Sequence, residues 1–459
     1  MTVQKNKELE SLRLKIRALT SEIMAKVQER TQLARQVGEV KGRLGIDVKD
    51  EKVEQEIRLM VARQAEESGM GKEFALRLLS VLLQESELVQ EKSRPLKARQ
   101  THISIFRKAK QMEAAGSRII HLEVGEPDFP APAQVGNALA ESFAKRQYHY
   151  TDTRGIPALL DAIAKKTGVI EDRVIVTPGG RFAVFSAIAA LVRPGEEIIT
   201  IEPAWPAYKE CADFVGARTK VLRTTMEKGW TPDVSELAAM VTENTKMIAI
   251  NYPNNPTGKV INEKTMDGIV SLARDHALYL LSDEVYSNYS FAPFESALSY
   301  SYDRSVVVSS FSKTYAMTGF RVGYAVASVD TIRQMAKVQA AGITSVAEPV
   351  QRAALVALGQ DASGNVDLMK KRLTFLSSRL KEMSLRFIEP DGAMYIYPQL
   401  PAGEDVELVE KLLEKGVAIA PGSGFGDSYR QFVRISACRP EEEMAEGLNM
   451  MEKVLRREN

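Results

Sequence analysis

The stretch SFSKTYAMTGFRVGY, residues 310–324, comes straight after the apolar run SVVVS (305–309). A short apolar run bounded by small and turn-forming residues reads as a buried strand. The end of that strand presents Lys313, flanked by the hydroxyls of Ser310 and Ser312, with Arg321 eight residues further on. A lysine amine so placed can form a Schiff base with an aldehyde cofactor, and hydroxyls beside an arginine can hold a phosphate. An ordinary solvated lysine fits the stretch equally well, so its neighbours must decide.

Working outward, further strand-like runs occur at VIVT (174–177), EIITI (197–201), KMIAI (246–250) and LYLL (278–281), with helical stretches between them. That rhythm predicts an α/β fold, a mostly parallel sheet covered by helices. Every run leads into chemically pointed residues. Gly179-Gly180-Arg181 opens a helix after the first, where backbone N–H groups favour a phosphate; a plain glycine turn is the bland alternative. Trp205, in EPAWPAY (202–208), offers a flat ring to stack on a cofactor, or is a core aromatic. Asn255 lies in NYPNNPTG (251–258). Asp283, with Tyr286 three residues on, either keeps a pyridine nitrogen protonated or caps a helix. Each bland reading stands by itself. Five such segments, all after strands and all suited to one cofactor, do not meet by chance, and ligands of open α/β sheets collect at the carboxyl ends of strands.

The first hundred residues are different. Their one aromatic is Phe74 and their one proline Pro95. Apolar residues at Leu9, Leu12, Ile16, Leu19 and Ile23, continuing to Val40, keep helical spacing from about residue 6 to 43. Further helices are predicted over about 49–67 and 72–92, ending before Ser68-Gly69 and Pro95. In the whole chain 61 Lys and Arg balance 60 Asp and Glu, so no basic field argues for nucleic acid. Two cysteines, Cys211 and Cys438, make no disulfide framework and fit a reducing, cytoplasmic setting. The charged N-terminus does not read as a signal peptide, and no run approaches the roughly 18 apolar residues of a membrane span. No metal site is expected.

With those residues in view, positions from about 97 to 459 resemble a fold-type I, class I pyridoxal-phosphate aminotransferase. The resemblance implies pyridoxal 5′-phosphate as cofactor, with Lys313 as Schiff-base lysine and proton shuttle. It implies Asp283 as partner of the pyridinium nitrogen, Tyr286 and Asn255 as donors to the ring O3′, and Trp205 as the stacking aromatic. Gly179-Gly180, Ser310, Ser312 and Arg321 would form the phosphate cradle. Tyr150, in YTDTRG (150–155), would reach a neighbouring subunit's phosphate, so a homodimer is implied. Arg434, in FVRIS (432–436), would grip the substrate α-carboxylate, and Gly125, in VGEPDFPAP (124–132), would close over it. Relatives taking dicarboxylic substrates often carry a lysine where this chain has Arg181. An arginine keeps the charge and adds a fork for a second carboxylate; solvent or the cofactor phosphate are equal alternatives.

In the helical segment, Arg13 and Arg30 lie 17 positions apart, roughly 25 Å along one helix. One small dianion cannot touch both on one chain, whereas an antiparallel partner helix brings a second Arg13 to Arg30. Arg30 and Lys41 share a face, as do Asp50 and Glu54, and Ser86 and Gln90. A charged bundle with solvated faces is the bland reading. The order Arg13; Glu29-Arg30 with Leu33-Ala34, Val37-Gly38 and Lys41; Asp50 and Glu54; then Glu85-Ser86 with Leu88 and Gln90 resembles the all-helical chorismate mutases. That resemblance implies an intertwined dimer. The partner's Arg13, Arg30 and Ser86 would bind carboxylates, Lys41 and Gln90 would face the ether oxygen, and Glu54 and the Asp50 region would receive the ring hydroxyl. The family usually has an arginine where Val53 stands, and Lys52 or Arg58 are candidates to replace it.

The expected organisation is a mutase domain over 1–94, a linker and N-terminal part of a small domain over 95–130, a large cofactor domain over 131–329 and a small C-terminal domain over 330–459. The fusion suggests chorismate to prephenate, then prephenate to arogenate, with glutamate or aspartate as donor, in a homodimer or homotetramer serving aromatic amino acid synthesis. Alternatives are a transaminase for aromatic 2-oxo acids such as phenylpyruvate and 4-hydroxyphenylpyruvate, one for aspartate and oxaloacetate, or a helical half that senses chorismate or an aromatic end product without catalysis.

Overall fold

The computed structural model describes residues 2–44, 48, 51–93 and 102–456; Asp50 lies outside the described residues. The chain divides into two compact units, Met1–Arg99 and Gln100–Asn459. Among the described residues no helix is long and apolar enough to cross a membrane.

The first unit holds three helices, α1 (Thr2–Leu44), α2 (Glu51–Ser68) and α3 (Lys72–Ser93). They match the periodicity of the sequence to within a few residues. Ala34, Ala65, Ala75, Leu79 and Leu83 are buried where the helices meet. Gly38 lets α3 approach α1 closely, since a Cβ there would lie 2.5 Å from the Gln90 carbonyl oxygen. The N-terminal half of α1 has no such cover. Its apolar stripe lies open, with Leu12 52% and Ile16 63% exposed.

The second unit carries β1 (Ile120–His121), β2 (Val174–Thr177), β3 (Glu197–Glu202), β4 (Arg218–Arg223), β5 (Thr245–Asn251), β6 (Tyr279–Asp283), β7 (Ser305–Ser310), β8 (Gly323–Val326), β9 (Tyr395–Ile396), β10 (Val417–Ala418), β11 (Ala420–Pro421) and β12 (Val433–Ser436). Seven of them make one sheet in the order β2-β8-β7-β6-β5-β3-β4. Neighbours are parallel except at β8, which runs antiparallel to both β2 and β7. The carboxyl ends of β2, β3, β5, β6 and β7 therefore share one edge, and the amino end of β8 joins them there. β4 and β8 are strands that the apolar runs did not predict. β4 alternates charged with apolar residues, and β8 is four residues long, directly after a turn.

The smaller layers are β1 beside β10, and β11-β12-β9. They share an apolar core with the helix His102–Ala114, through Ile105 and Ala109, and with the last helix, Glu441–Leu455, through Met444 and Leu448. Residues 102–121 and the C-terminal segment thus build one layer.

Candidate active sites

A cleft of about 350 Å³ lies along the shared strand edge. Lys313 lines it, carried on a single helical turn, Phe311–Thr314, that follows β7. Its Nζ donates to the Gly125 carbonyl at 2.6 Å. Burial is the main force holding this amine below the usual lysine range, and the nearby Arg434 charge adds to it. A depressed amine is one with a nucleophilic lone pair within reach.

Asp283 ends β6 in the same cleft. Burial pushes its carboxyl up to about 6, opposed by hydrogen bonds from Tyr208 and the Val285 backbone. Tyr208 Oη donates to Oδ2 at 2.7 Å, and Asn251 Nδ2 donates to the Asp283 carbonyl at 2.8 Å. A carboxylate held in so dry a place calls for a cation, and a protonated ring nitrogen is one.

The remaining cofactor candidates surround these two. Ser310 Oγ caps the Lys313 turn by accepting from the Ser312 N–H at 3.2 Å, and donates to Ser312 Oγ at 3.0 Å. Opposite stands the N-terminus of the helix Gly179–Leu191. Gly179 has φ +79°, and a Cβ on it would lie 2.9 Å from Arg321 Nη2. Arg321, itself at φ +53°, donates to the Thr318 carbonyl at 2.8 Å. Free helix N–H groups, two hydroxyls and a guanidinium on one side of the cleft form a cradle fit for a phosphate dianion. Trp205, Tyr286 and Asn255 also line the cleft. Asn255 Oδ1 accepts from Arg434 Nη1 at 2.8 Å, which leaves its amide NH₂ as the outward donor. Lysine, aspartate, cradle and stacking ring fit pyridoxal phosphate as a set.

On the substrate side, Arg434 projects from β12 and is 1% exposed. Its Cζ lies 4.3 Å from the centre of the Tyr395 ring, and Nη2 donates to the Glu123 carbonyl. Its Nε is buried without a partner among the described residues, a donor open to something the cleft receives. Gly125 faces Tyr395 so closely that any Cβ would overlap the phenol oxygen. Arg181 lines the cleft but stands 4.6 Å over the Trp205 ring and 3.3 Å from Glu210, half exposed. Tyr150 does not line this cleft; it is 92% exposed.

The sequence reasoning missed several lining residues. Tyr208 lies in the first turn of the helix Ala207–Phe214, three positions after Trp205. Tyr395, whose Oη lies 2.8 Å from that of Tyr286, gives no sequence signal. Ile103 and Phe106 reach the cleft from the helix His102–Ala114.

The helical unit has its own cavity, about 230 Å³, lined by Arg30, Lys41, Glu54, Ser86 and Gln90. Arg30 Nη1 donates to the Leu82 carbonyl at 2.6 Å and to Ser86 Oγ. Lys41 Nζ donates to the Val48 carbonyl at 2.6 Å. Gln90 Oε1 is buried without a partner among the described residues. Val53 lines the cavity too. Arg58 does not replace the arginine missing there. It lies five residues further along α2, about 7.5 Å on, and reaches for Ser80 Oγ at 3.5 Å. Nothing is described of the Lys52 side chain. Arg13 is exposed and stands outside the cavity.

Comparison with known proteins gives two family matches, aminotransferase class I and II over residues 117–450 and chorismate mutase type II over residues 12–91. The aspartate aminotransferase of Thermotoga maritima is 38% identical over 358 residues, 76% of this chain and 94% of that protein. The aspartate/prephenate aminotransferase of Thermus thermophilus is 32% identical over 374 residues, 77% of this chain and 96% of that one. Among solved structures, the Thermotoga maritima aspartate aminotransferase superposes with a TM-score of 0.74 at 37% identity, covering 77% of this chain and 96% of that one. The Thermus thermophilus aspartate aminotransferase with maleate gives 0.74 at 31% identity, covering 79% and 100%.

Proposed function

From the premise that the chain belongs to the class I and II aminotransferases and carries a type II chorismate mutase domain ahead of that fold, we propose that it performs consecutive reactions: chorismate to prephenate, then prephenate to arogenate with glutamate or aspartate as donor. Pyridoxal 5′-phosphate, the cofactor of this family, supplies the electron sink for moving the amino group. Lys313 would hold it through its amine, kept below the usual lysine range by burial, and would serve as the proton carrier beside it. Asp283 holds the ring nitrogen's proton. Tyr286 and the amide of Asn255 donate to the ring oxygen. Ser310, Ser312, Arg321 and the Gly179-Gly180 helix start hold the phosphate, completed by Tyr150 of a second copy.

The observation that carries the substrate reading is a pair of guanidinium groups in one cleft, Arg434 and Arg181. Arg434 keeps Nε free for an α-carboxylate, and Gly125 closes over it. Arg181 would then take the ring carboxylate of prephenate. Oxaloacetate is also a dicarboxylate, and one relative is named for both substrates. A coupled assay offering prephenate, phenylpyruvate, 4-hydroxyphenylpyruvate and oxaloacetate decides. Negligible turnover of prephenate beside brisk turnover of phenylpyruvate removes the arogenate reading.

For the mutase, Arg30 and Ser86 take carboxylates, Lys41 and Gln90 meet the ether oxygen, and Glu54 with Asp50 receives the ring hydroxyl, so that a cationic pocket holds the reactive conformer. The partner's Arg13 completes it. The open stripe of α1 supports that pairing, since covering each leucine or isoleucine stabilises an interface by about 1.5–3 kcal/mol. Mutase kinetics of residues 1–95 test this half, and a folded dimer without activity would leave a sensor.

A further inference from the structure

Beside the substrate side of the transaminase cleft a buried histidine stands between two carboxylates, the buried Glu123 and the partly exposed Glu113. His121, on β1, is 6% exposed. Its Nδ1 hydrogen-bonds with Glu123 Oε1 at 2.8 Å, while its Nε2 lies in ion-pair range of Glu113 Oε1, 3.2 Å, without a hydrogen-bond partner among the described residues. Glu123 is 0% exposed, and its second oxygen has no partner among the described residues. A wholly buried carboxylate needs a cation beside it, and the imidazole is the group in contact with it.

The cluster touches the cleft twice. Along the chain, the Glu123 carbonyl accepts from Arg434 Nη2, and two residues later the Gly125 carbonyl accepts from Lys313. Across space, Glu113 belongs to the helix His102–Ala114, whose Ile103 and Phe106 form one wall of the cleft. The Phe106 ring centre lies 5.9 Å from that of His121.

We propose that His121 is a positioning residue: clamped between Glu113 and Glu123, it fastens the wall helix to the segment that orients Arg434 and Gly125, and so sets the affinity of the cleft for the substrate carboxylate. This rests on the reading that Arg434 receives that carboxylate.

The charges around the imidazole are these. The wall helix presents Glu113, itself paired with Lys110 at 2.8 Å. β1 and its continuation present Glu123, with Arg434 of β12 on the Glu123 carbonyl. Arg439 donates to the His121 carbonyl at 3.4 Å. β10 brings only Val417 and Ala418. The last helix packs by Gly447 near Leu122, while its Glu446 pairs with Arg118. Glu123 first, then Glu113, raise the imidazole above its ordinary value against the opposing effect of burial. The clamp is therefore complete at low pH and is lost as pH rises through that raised value.

The test uses the holoenzyme and maleate, an unreactive dicarboxylate, with Kd measured calorimetrically from pH 6 to 9. His121→Gln is expected to raise the maleate Kd about tenfold at pH 7, the scale of one charge-assisted contact, and to remove the His121-dependent rise of Kd with pH. The chain has four histidines, so the His121 resonance is assignable by NMR. In Glu113→Gln it should titrate at lower pH, with the rise of Kd moving in step. That second variant carries the test if His121→Gln does not fold. A His121→Gln Kd within twofold of the parent across the range, or a Kd profile in Glu113→Gln that ignores the shifted titration, overturns the proposal. An Arg434→Lys variant that binds maleate as well as the parent would instead sink the carboxylate reading beneath it.

Discussion

Replacing Asp283 by Asn should have opposite effects on the cofactor-free protein and on the enzyme at work. Burial raises this carboxyl to about 6 from an ordinary 3.8. A difference of roughly two pH units between folded and unfolded chain is about 3 kcal/mol. The sign follows from which state loses its proton first. As pH rises from about 4 to about 6 the unfolded chain ionises while the folded one resists, so folding weakens across that window and the full cost persists above it. Asparagine has no such charge and still offers Tyr208 an acceptor, so cofactor-free Asp283→Asn should be the more stable protein at pH 8. For the 360-residue unit that spans Gln100–Asn459, at roughly 2.1 cal/mol/K per residue, this is about 4 °C in melting temperature. Supplied with pyridoxal phosphate, the same variant should transaminate at least about a hundredfold more slowly, because the ring nitrogen has lost its counter-charge. Scanning calorimetry of both cofactor-free proteins at pH 4 and pH 8, beside steady-state rates, measures the two effects. A variant that melts no higher than the parent at pH 8 would refute the buried-charge reasoning. One that retains its rate would refute the pairing with the ring.

Three further outcomes follow from the two cavities. Lys313→Ala should lose transamination and the imine absorbance while keeping mutase activity; a well-folded variant in which both activities fall together would show that the sites are not separate. Val53→Arg should lower the KM for chorismate about two- to fivefold at low ionic strength, a small gain because Val53 is 46% exposed and a charge there is screened; an unchanged KM at every salt concentration would remove the side chain at 53 from the binding surface. Arg181→Gln should raise the KM for prephenate or oxaloacetate about tenfold and leave kcat/KM for phenylpyruvate unaltered; equal losses on all three acceptors would mean that Arg181 serves the cofactor.

How much of this was readable in the chain depends on whether a residue's position is set by its own strand. Asp283, Asn255 and the Gly179-Gly180 turn follow apolar runs, and Lys313 sits one helical turn past another, so parallel pairing delivers them to one edge whatever the details of packing. Arg321 reached that edge through β8, a strand too short to leave a pattern, and its left-handed backbone is a consequence of the turn it closes. Side chains that enter from another layer are a different matter. Tyr395 reads only as part of a core strand, because what places it is the pairing of β9 with β12. His121 and Glu123 read as polar residues at a strand end, and only the fold brings Glu113 to the far side of the imidazole. In the helical unit the rise per residue of a helix settled more. It put Arg30 and Lys41 on one face and separated Arg13 from both, and the N-terminal stripe of α1 stays exposed at Leu12 and Ile16. A helix of 43 residues cannot fold back to cover that stripe, and on the proposed pairing a second copy would bury the leucines beside Arg13. On the proposed pairing the partner would supply both the cover and the second cation, so a substitution of Leu12 or Ile16 by a charge should cost the mutase its activity through both.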